Sequence, residues 1–485
     1  MGLSQMKQSA KFVSFAIFFV LLGSAAASAQ TSNQTVNTID PALRTRIDRI
    51  ATQVLAQTGV PSASIAIVQN GRLVYSHAYG SARLATKSAP AIPATPAMRY
   101  SIGSVSKQFC ATAILILQQE GKLSLDDPVG KYIPGLTRGD QVTIRQILSH
   151  TSGYQDFWPE DYLMTPMLQP TTTQQILDIW AKKPLDFDPG TQWQYSNTNY
   201  VIAGRIVELV SGQPLFDFLT QRIFKPLGMT SVLNLNQSQA ASPDADPYYR
   251  HALGPLRPAP KEGVGWMFAA MDLAMTAHDL ALWDQSLISH SLLKPESYKE
   301  MFTEVKLKDG KGSQYGLGVE VRDRDGHRSI EHSGEVSGFV SDNEILIDSA
   351  AAVAVLTNQD AVSAASTIAR LAAPLVAGYP LAPPEQQASE QQALDIYRGL
   401  QQGRIERTLL APNLSDYFTP EALVDFQSSL APLGEPLSLH QTSTELRGGM
   451  TFRAFTIAYP DRRLELTTYT YPDGKLEQYL IAPTE

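Results

Sequence analysis

Three Ser-x-x-Lys patterns occur in the sequence, and each could pair a nucleophilic hydroxyl with a cation. The copy at positions 4–7 lies in an apparent leader segment, and the copy at 291–294 runs into Pro295, which disfavours helical geometry at the preceding residue. Ser104-Val105-Ser106-Lys107 instead opens an apolar run to residue 117, which predicts a helix buried on every side. A spacing of three places Ser104 and Lys107 on one face of that helix.

A serine at a helix start has its hydroxyl near unpaired backbone N–H groups, which favour developing negative charge. The ammonium of Lys107 would add a second electrostatic attraction for an attacking Ser104. On these four residues alone, a serine N-cap before an unrelated lysine is the simpler interpretation. A nucleophilic serine also needs a group that takes its proton.

Tyr195-Ser196-Asn197 is a candidate source of that base. It follows the turn Asp188-Pro189-Gly190 and precedes an apolar helix, so it occupies a loop at a helix start. A neighbouring lysine ammonium would favour the phenolate of Tyr195, which could then act as the base. A neutral Lys107 could equally take the proton. Taken alone, Tyr195 fits an ordinary core or surface tyrosine.

His332-Ser333-Gly334 lies between two strand-like segments, and Gly334 permits close approach of the backbone to a ligand. If this strand lies beside Ser104, the backbone N–H of Glu335 could complete an oxyanion hole with that of Ser104. Taken alone, His332 fits a structural histidine.

The surrounding pattern predicts an α/β chain of the α+β type, with an antiparallel sheet flanked by helices and a mostly helical insert. Residues 63–68 and 73–75 form a predicted hairpin through Asn70-Gly71. Thr143 and Thr172 each precede a Gln by three residues, which indicates two capped helix starts. Strands return at 316–321, 344–347 and 352–356.

A change of composition near residue 381 predicts a second, small α+β domain. Residues 381–388 are polar and contain prolines, which is typical of a linker. Beyond it, residues 390–408 suit a helix if Gly399 and Gly403 are tolerated. Strands at 451–459, 464–471 and 476–481, separated by Pro-Asp turns, predict an antiparallel meander. We therefore assign a main domain to 35–380 and a small domain to 389–485.

Composition excludes several classes of protein. The 485 residues are 43% hydrophobic with a formal net charge of −8, which is globular and offers no cationic field for a nucleic acid. The single Cys110 cannot form an intrachain disulfide. None of the eight histidines forms a His-Glu-x-x-His pattern, so we expect neither a metal nor another cofactor.

The first 29 residues resemble an export signal. Lys7 and Lys11 precede an apolar run at 12–22, and Ala27-Ser28-Ala29 suits a signal peptidase. Eleven apolar residues are too few to span a bilayer, which needs about twenty. We expect a secreted protein, in the bacterial periplasm, without a stable membrane anchor.

Taken in order, the motifs resemble one family far more specifically than any of them does alone. The sequence is similar to the serine β-lactamase-related hydrolases, which include class C β-lactamases, DD-peptidases, D-aminopeptidases and carboxylesterases. The resemblance covers roughly residues 45–375. Within that range, the stretches 148–153, 224–229 and 334–339 also resemble the family. Its core is Ser104-x-x-Lys107, Tyr195-x-Asn197 and His332-Ser333-Gly334. Ser341-Asp342-Asn343 also looks like a family motif, but it follows the His-Ser-Gly element and is interpreted as a coincidence.

The resemblance implies a β-lactamase/transpeptidase-like fold and an acyl-enzyme mechanism. Ser104 would attack a carbonyl, Lys107 and Tyr195 would transfer protons, and Asn197 would orient the substrate. His332, Ser333, Gly334 and Glu335 would line the substrate strand.

One position separates this chain from β-lactamases of the family, which have Lys where this chain has His332. With a histidine at this position, the chain is similar to the peptidase, aminopeptidase and esterase members of the family. Because imidazole is only partly charged near neutral pH, we expect His332 to bind the carboxylate of a substrate weakly. We therefore expect poor hydrolysis of β-lactams.

The expected function is hydrolysis of an amide or ester of a small substrate, including D-amino-acid peptides. The alternatives are a β-lactamase, or a penicillin-binding sensor on the same fold that does not turn over. The expected partners are small molecules or peptides, and the oligomeric state stays open. The small domain is similar to cone-shaped α+β domains of the nuclear-transport-factor type, and we expect it to contribute packing or part of the substrate rim.

Overall fold

The computed structural model describes residues 36–160, 162–236, 244–324, 327–379, 384–459 and 462–484. The helices of the described chain are α1 Pro41–Thr58, α2 Ser106–Gln119, α3 Ile144–Leu148, α4 Thr173–Trp180, α5 Asn197–Ser211, α6 Leu215–Leu219, α7 Lys225–Leu227, α8 Ala277–Ser289, α9 Pro295–Phe302, α10 Ala364–Val376, α11 Pro384–Gln401, α12 Pro412–Tyr417 and α13 Pro420–Leu430.

The strands of the same ranges are β1 Ser62–Gln69, β2 Arg72–Arg83, β3 Ile92–Pro93, β4 Tyr100–Ser101, β5 Leu233–Asn234, β6 Tyr248–Tyr249, β7 Arg257–Pro258, β8 Leu273–Met275, β9 Glu320–Arg324, β10 His327–Val336, β11 Phe339–Leu346, β12 Ala351–Thr357, β13 Ser438–Arg447, β14 Met450–Ala458, β15 Arg463–Thr470 and β16 Leu476–Pro483.

An antiparallel sheet in the order β3-β2-β1-β12-β11-β10-β9 forms the centre of the main domain. Strand β1 is buried from Ser62 to Val68 because both faces of the sheet are covered. Ile65 and Ile67 pack with α1 and α10, whereas Ala66 and Val68 belong to the core on the opposite side, with α2 and α8. The predicted α+β class with an antiparallel sheet is confirmed.

Local signals in the sequence predicted several elements correctly. Asn70 and Gly71 join β1 to β2 with φ of 53° and 71°, the backbone that an Asn-Gly turn favours. Thr143 and Thr172 cap α3 and α4 through complete capping boxes with Gln146 and Gln175. The strand expected at 316–321 begins only at Glu320, because Gly318 has a φ of 76° and bends the chain before it.

Helix α2 lies at the centre of the main domain, as its all-round apolar sequence predicted. A short 3₁₀ turn, Gly103–Val105, leads into it and packs directly against β10. A Cβ at Gly334 would lie 2.0 Å from the carbonyl oxygen of Ile102, and one at Gly103 would lie 2.6 Å from the backbone nitrogen of Glu335. Strand β10 and the 3₁₀ turn therefore approach each other closely next to Ser104, with no side chain between them.

The small α+β domain consists of α11, α12, α13 and a meander of β13, β14, β15 and β16. Its own apolar core includes Tyr397, Phe418 and Phe455. Helix α11 begins at Pro384 and ends at Gln401, so it includes 384–388 of the expected linker and stops short of the expected residue 408. Strand β13 was not predicted, and residues 381–383 lie outside the described ranges. The domain boundaries themselves stay a prediction.

The predicted signal segment, residues 1–29, lies outside the described residues. Across the ranges that the structure does describe, no helix has the length and apolar character needed to cross a membrane.

Replacing Gly334 by Ala tests the close approach of β10 to the 3₁₀ turn. We expect Gly334→Ala to lower the free energy of unfolding by about 1–3 kcal/mol, because the new Cβ overlaps a backbone oxygen that the strand holds in place. Ser333→Ala is the matched control on the neighbouring exposed position, with an expected change within about 0.5 kcal/mol. Urea unfolding measures both, and equal stability of the two variants contradicts the close contact.

Candidate active site

Ser104 and Lys107 lie on one face at the start of α2, as their spacing predicted. The ammonium nitrogen Nζ of Lys107 donates a hydrogen bond to Ser104 Oγ at 2.9 Å. Ser104 is half-buried and lines a surface cleft, whereas Lys107 is completely buried behind it. The other Ser-x-x-Lys copy among the described residues differs, because Lys294 there is the N-cap residue of α9.

Lys107 is held by acceptors from three separate segments. Besides Ser104, its Nζ donates to Asn197 Oδ1 at 2.8 Å and to the carbonyl oxygen of Ala270 at 3.0 Å. Burial lowers the pKa of Lys107 from 10.5 to about 7, although the carboxylate of Asp156 opposes this shift. A substantial fraction of the side chain is therefore a neutral amine near neutral pH.

Tyr195 lies beside both residues, in the loop that leads into α5. The side chain of Ser104 lies close enough to its phenol to act on its pKa, and Lys107 Nζ lies 4.8 Å from the centre of its ring. Burial raises the pKa of Tyr195 well above its ordinary value of 10. The phenolate that we considered from the sequence is therefore disfavoured, because desolvation outweighs the opposing effect of Ser104 on the pKa of Tyr195.

Asn197 begins α5 and connects Lys107 to the half-buried carboxylate of Asp156. Its backbone N–H donates to Asp156 Oδ1 at 2.9 Å, and its side-chain amide donates to Asp156 Oδ2 at 3.2 Å. These bonds fix the amide so that its oxygen faces Lys107. Burial raises the pKa of Asp156, and the donated hydrogen bonds and the lysine act in the opposite direction.

His332 is buried in the sheet, and our expectation that it is partly charged was wrong. Burial and the nearby ammonium of Lys107 lower the pKa of His332 to about 3. Its Nε2 lies 2.7 Å from the hydroxyl of Tyr315, and its Nδ1 contacts the carbonyl of Ser333. The imidazole is therefore neutral at physiological pH and held by its neighbours.

His150 supports the ring of Tyr195 from the other side. The two ring centres are 4.3 Å apart, and His150 Nδ1 accepts a hydrogen bond from the backbone N–H of Ser196 at 3.1 Å. Tyr200 and Tyr315 complete the packing around this imidazole. Burial also lowers the pKa of His150, so a neutral imidazole packs against the ring of Tyr195.

The cleft in front of Ser104 has a volume of about 690 Å³. Its lining unites the site residues predicted from distant parts of the sequence, namely Ser104, Tyr195, Asn197, His332, Ser333 and Glu335. Gly334 lies between the last two and brings β10 so close to the 3₁₀ turn that a Cβ on it would lie 2.9 Å from the nitrogen of Ser104. The backbone N–H groups of Ser104 and Glu335 thus come from two adjacent segments.

Sequence reasoning missed several residues of the site. Asp156, Tyr315 and the carbonyl of Ala270 were not considered, and His150 entered only as part of a matching stretch. Asp156 follows that stretch closely, which was the one available signal. Ser341-Asp342-Asn343 does not form part of the cleft lining. It lies in β11, where Ser341 Oγ donates to the carbonyl of Ile102 at 2.7 Å.

The described ranges contain no group of three or more His, Cys, Asp or Glu side chains placed to hold a metal ion. The chemistry that these residues offer is nucleophilic, with a hydroxyl, an amine and a phenol in mutual contact.

Comparison with known proteins agrees with this geometry. The profile of the beta-lactamase family matches residues 47–377, which is most of the chain, so the chain belongs to the beta-lactamase family. It is 30% identical over 294 residues to PbpX of Bacillus subtilis (strain 168), which is named as a penicillin-binding protein. That match covers 61% of this chain and 69% of PbpX.

Solved structures give the same result. A D-stereospecific amidohydrolase from Streptomyces sp. is 27% identical with a TM-score of 0.56, over 66% of this chain and 95% of that one. The D-amino acid amidase of Ochrobactrum anthropi is 25% identical with a TM-score of 0.59, over 69% and 97%. A penicillin-binding protein homologue from Pyrococcus abyssi, at 22% identity and a TM-score of 0.61, covers 90% of this chain and shares its fold. Together these findings support a serine hydrolase.

The burial of Lys107 predicts a pH-dependent stability. Because its pKa is about 7 when folded and 10.5 ordinarily, the unfolded chain binds more protons between these values, and stability rises with pH across this window. We expect the difference in unfolding free energy between the parent and Lys107→Met to grow in the parent's favour from pH 7.5 to 10. Urea unfolding measures both proteins. If their unfolding free energies change equally with pH, the pKa of Lys107 is not perturbed.

Proposed function

We propose that this protein is a serine hydrolase that cleaves an amide or ester bond of a small substrate through an acyl-enzyme on Ser104. The observation that carries the proposal is the hydrogen bond between Ser104 Oγ and a buried Lys107 whose pKa is about 7. A buried amine of this kind can accept the proton of a serine at neutral pH. Membership of the beta-lactamase family supports the same chemistry.

Lys107 is the better candidate for the general base. Burial moves its pKa towards the working pH, whereas burial moves the pKa of Tyr195 away from it. In our proposal, neutral Lys107 takes the proton of Ser104 as the serine oxygen forms a bond to the substrate carbonyl carbon. The phenol of Tyr195, which lines the cleft beside Ser104, then delivers a proton to the leaving nitrogen or oxygen and recovers one from Lys107.

The remaining site residues stabilise and orient the substrate in this proposal. The backbone N–H groups of Ser104 and Glu335 would hold the developing oxyanion, and the amide of Asn197 would position the acyl portion. His332 and Ser333 belong to β10 and line the cleft, and the substrate would lie against this strand. Water then attacks the acyl carbon, breaks the bond to Ser104 and returns a proton to the serine oxygen.

Amides and esters of D-amino acids are the substrates that we favour. Two similar solved structures are named as a D-stereospecific amidohydrolase and a D-amino acid amidase. A neutral His332 provides no permanent cation for the carboxylate of a β-lactam, so efficient β-lactam hydrolysis is not part of the proposal. The export signal expected in residues 1–29 leads us to place this activity outside the cytoplasm.

A penicillin-binding sensor is the second candidate, because PbpX is named as a penicillin-binding protein. It would form the same acyl bond to Ser104 without releasing it. A penicillin adduct that persists for hours, together with no ester turnover, would favour this alternative.

Covalent labelling tests the nucleophile. We expect a fluorophosphonate to add one adduct to the parent protein and none to Ser104→Ala, because the reagent needs the activated hydroxyl. Ser291→Ala, in the other described Ser-x-x-Lys copy, is the matched control and should label like the parent. Intact-mass analysis gives the result, and an adduct on Ser104→Ala would overturn the assignment.

The pH profile tests the base. If neutral Lys107 accepts the proton, kcat/KM for a nitrophenyl ester should fall about tenfold per pH unit below pH 7 and level off above it. Lys107→Met should lower kcat/KM by roughly 10²–10⁴-fold and remove this limb. A parent profile that is flat between pH 5 and 8 would contradict the role of the lysine.

A further inference from the structure

A second cavity, the interdomain cavity, lies between the main domain and the small domain. It has a volume of about 790 Å³ and adjoins the cleft in front of Ser104, because Glu320 and Ser333 line both spaces. Each space falls in the range of roughly 300–1,000 Å³ that holds a small-molecule ligand. The amide or ester of one amino acid fits in the first space alone, so the second is available to a longer substrate.

Both domains supply the walls of the interdomain cavity. Strands β10 and β11 and helix α10 form one wall, to which Glu331 and Ser366 belong. Strands β13 and β14 and the segment before β15 form the other wall, with Thr442, Thr456 and Tyr459. Neither domain alone encloses this space, so the small domain is required for it.

Contacts at residues 435–437 fix the second wall relative to the first. Gln53 of α1 donates a hydrogen bond to the carbonyl of Pro436 at 2.8 Å, and Gln57 donates one to the carbonyl of Glu435. Leu437 lines the cavity and also packs against the apolar core beneath α1 and α10. The small domain is therefore anchored to α1, and the interdomain cavity has a defined shape.

Hydroxyl groups line the interdomain cavity on both walls. The main domain contributes Ser363, Ser366 and Thr367, and the small domain contributes Ser438, Thr442 and Thr456. A hydroxyl both donates and accepts hydrogen bonds, so it can pair with the N–H and the C=O groups of a peptide backbone.

Charged side chains of both signs occur in the same lining. Glu331 and Asp342 belong to the sheet, whereas Arg370 belongs to α10 and Arg463 to β15. Such a mixed lining selects neither for an anion nor for a cation. It disfavours an apolar acyl chain, because burying apolar groups against charged ones removes hydration from those charges. A polar chain such as a peptide fits this lining best.

Tyr195 indicates which part of the substrate lies towards the interdomain cavity. In the proposed mechanism its phenol protonates the leaving atom, so the leaving group lies on the side of Tyr195. The centre of its ring is 6.3 Å from that of His332, the residue before Ser333. Glu320 is near enough for its charge to add to the rise in the pKa of Tyr195 that burial causes. The two residues shared by both spaces therefore lie on the leaving-group side.

We propose that the interdomain cavity binds the leaving-group portion of an oligopeptide whose scissile carbonyl faces Ser104. This inference rests on the proposed hydrolase function and specifies its substrate as a peptide of three or more residues. The bond from Ser104 Oγ to the carbonyl carbon forms as the peptide C–N bond breaks, and the nitrogen leaves with a proton from Tyr195. The departing peptide has a free amino group, and water later releases the acyl part as a carboxylic acid.

A series of D-alanyl peptides tests the length preference. D-alanylglycinamide and its analogues with two, three and four glycines share one scissile bond and one uncharged terminus, so they differ only in the length of the leaving group. We expect kcat/KM to rise by at least about tenfold from one glycine to four, because binding of the remote glycines stabilises the transition state. D-alanine released from each peptide is measured with D-amino acid oxidase.

Large side chains placed in the small-domain wall test the location. Thr456→Trp and Thr442→Trp should each bring the ratio of kcat/KM between the longest and the shortest peptide close to one, because the indole occupies the cavity. The ratio is independent of the fraction of protein that folds. Thr444→Trp, at an exposed position of β13 outside the lining, is the matched control and should keep the parent ratio.

Equal kcat/KM for the four peptides would overturn the proposal, as would a parent-like ratio in both lining variants or the same loss of the ratio in Thr444→Trp. Failure to cleave any of the peptides, with a fluorophosphonate adduct still formed on Ser104, would also overturn it while leaving the nucleophile in place. Absence of both cleavage and adduct would instead reject the hydrolase function.

Discussion

The transfer of one amine from water into the protein interior is the constraint on which the site depends. Lys107 is completely buried, and its charged form loses hydration that three acceptors replace only in part. The result is an amine that gives up its proton near neutrality. The elements around α2 can be understood as the means of keeping water out while leaving Ser104 accessible.

Small residues make that enclosure possible. In α5, a Cβ at Gly204 would lie 2.5 Å from the Cβ of Ala269. Because Gly204 has no side chain, the segment that contains Ala269 can approach the helix closely. The next residue, Ala270, supplies the carbonyl that accepts from Lys107. The close approach of the backbone at Gly204 thus helps to place an acceptor beside the amine of Lys107.

Much of this arrangement followed from local patterns, and what did not has a physical explanation. Helix α2, the Asn-Gly hairpin and the two capping boxes depend on neighbours within a few positions, which a single sequence displays. The protonation states of Tyr195 and His332 depend instead on burial by segments far away in the chain, which raises the pKa of the first and lowers that of the second, and neighbouring residues in the sequence give no sign of it. Tyr315 gave no signal, because its contact with His332 arises only from the folded sheet.

The bare backbone at Gly334 also bears on how such a site can diversify. No side chain fits between β10 and the carbonyl of Ile102, so this position is closed to variation while its neighbours His332, Ser333 and Glu335 all reach the cleft. Substitutions at those three positions can exchange the chemistry presented to a ligand without moving the strand. Evolution, or a mutagenesis library, can therefore change selectivity there while Ser104 and Lys107 keep their geometry.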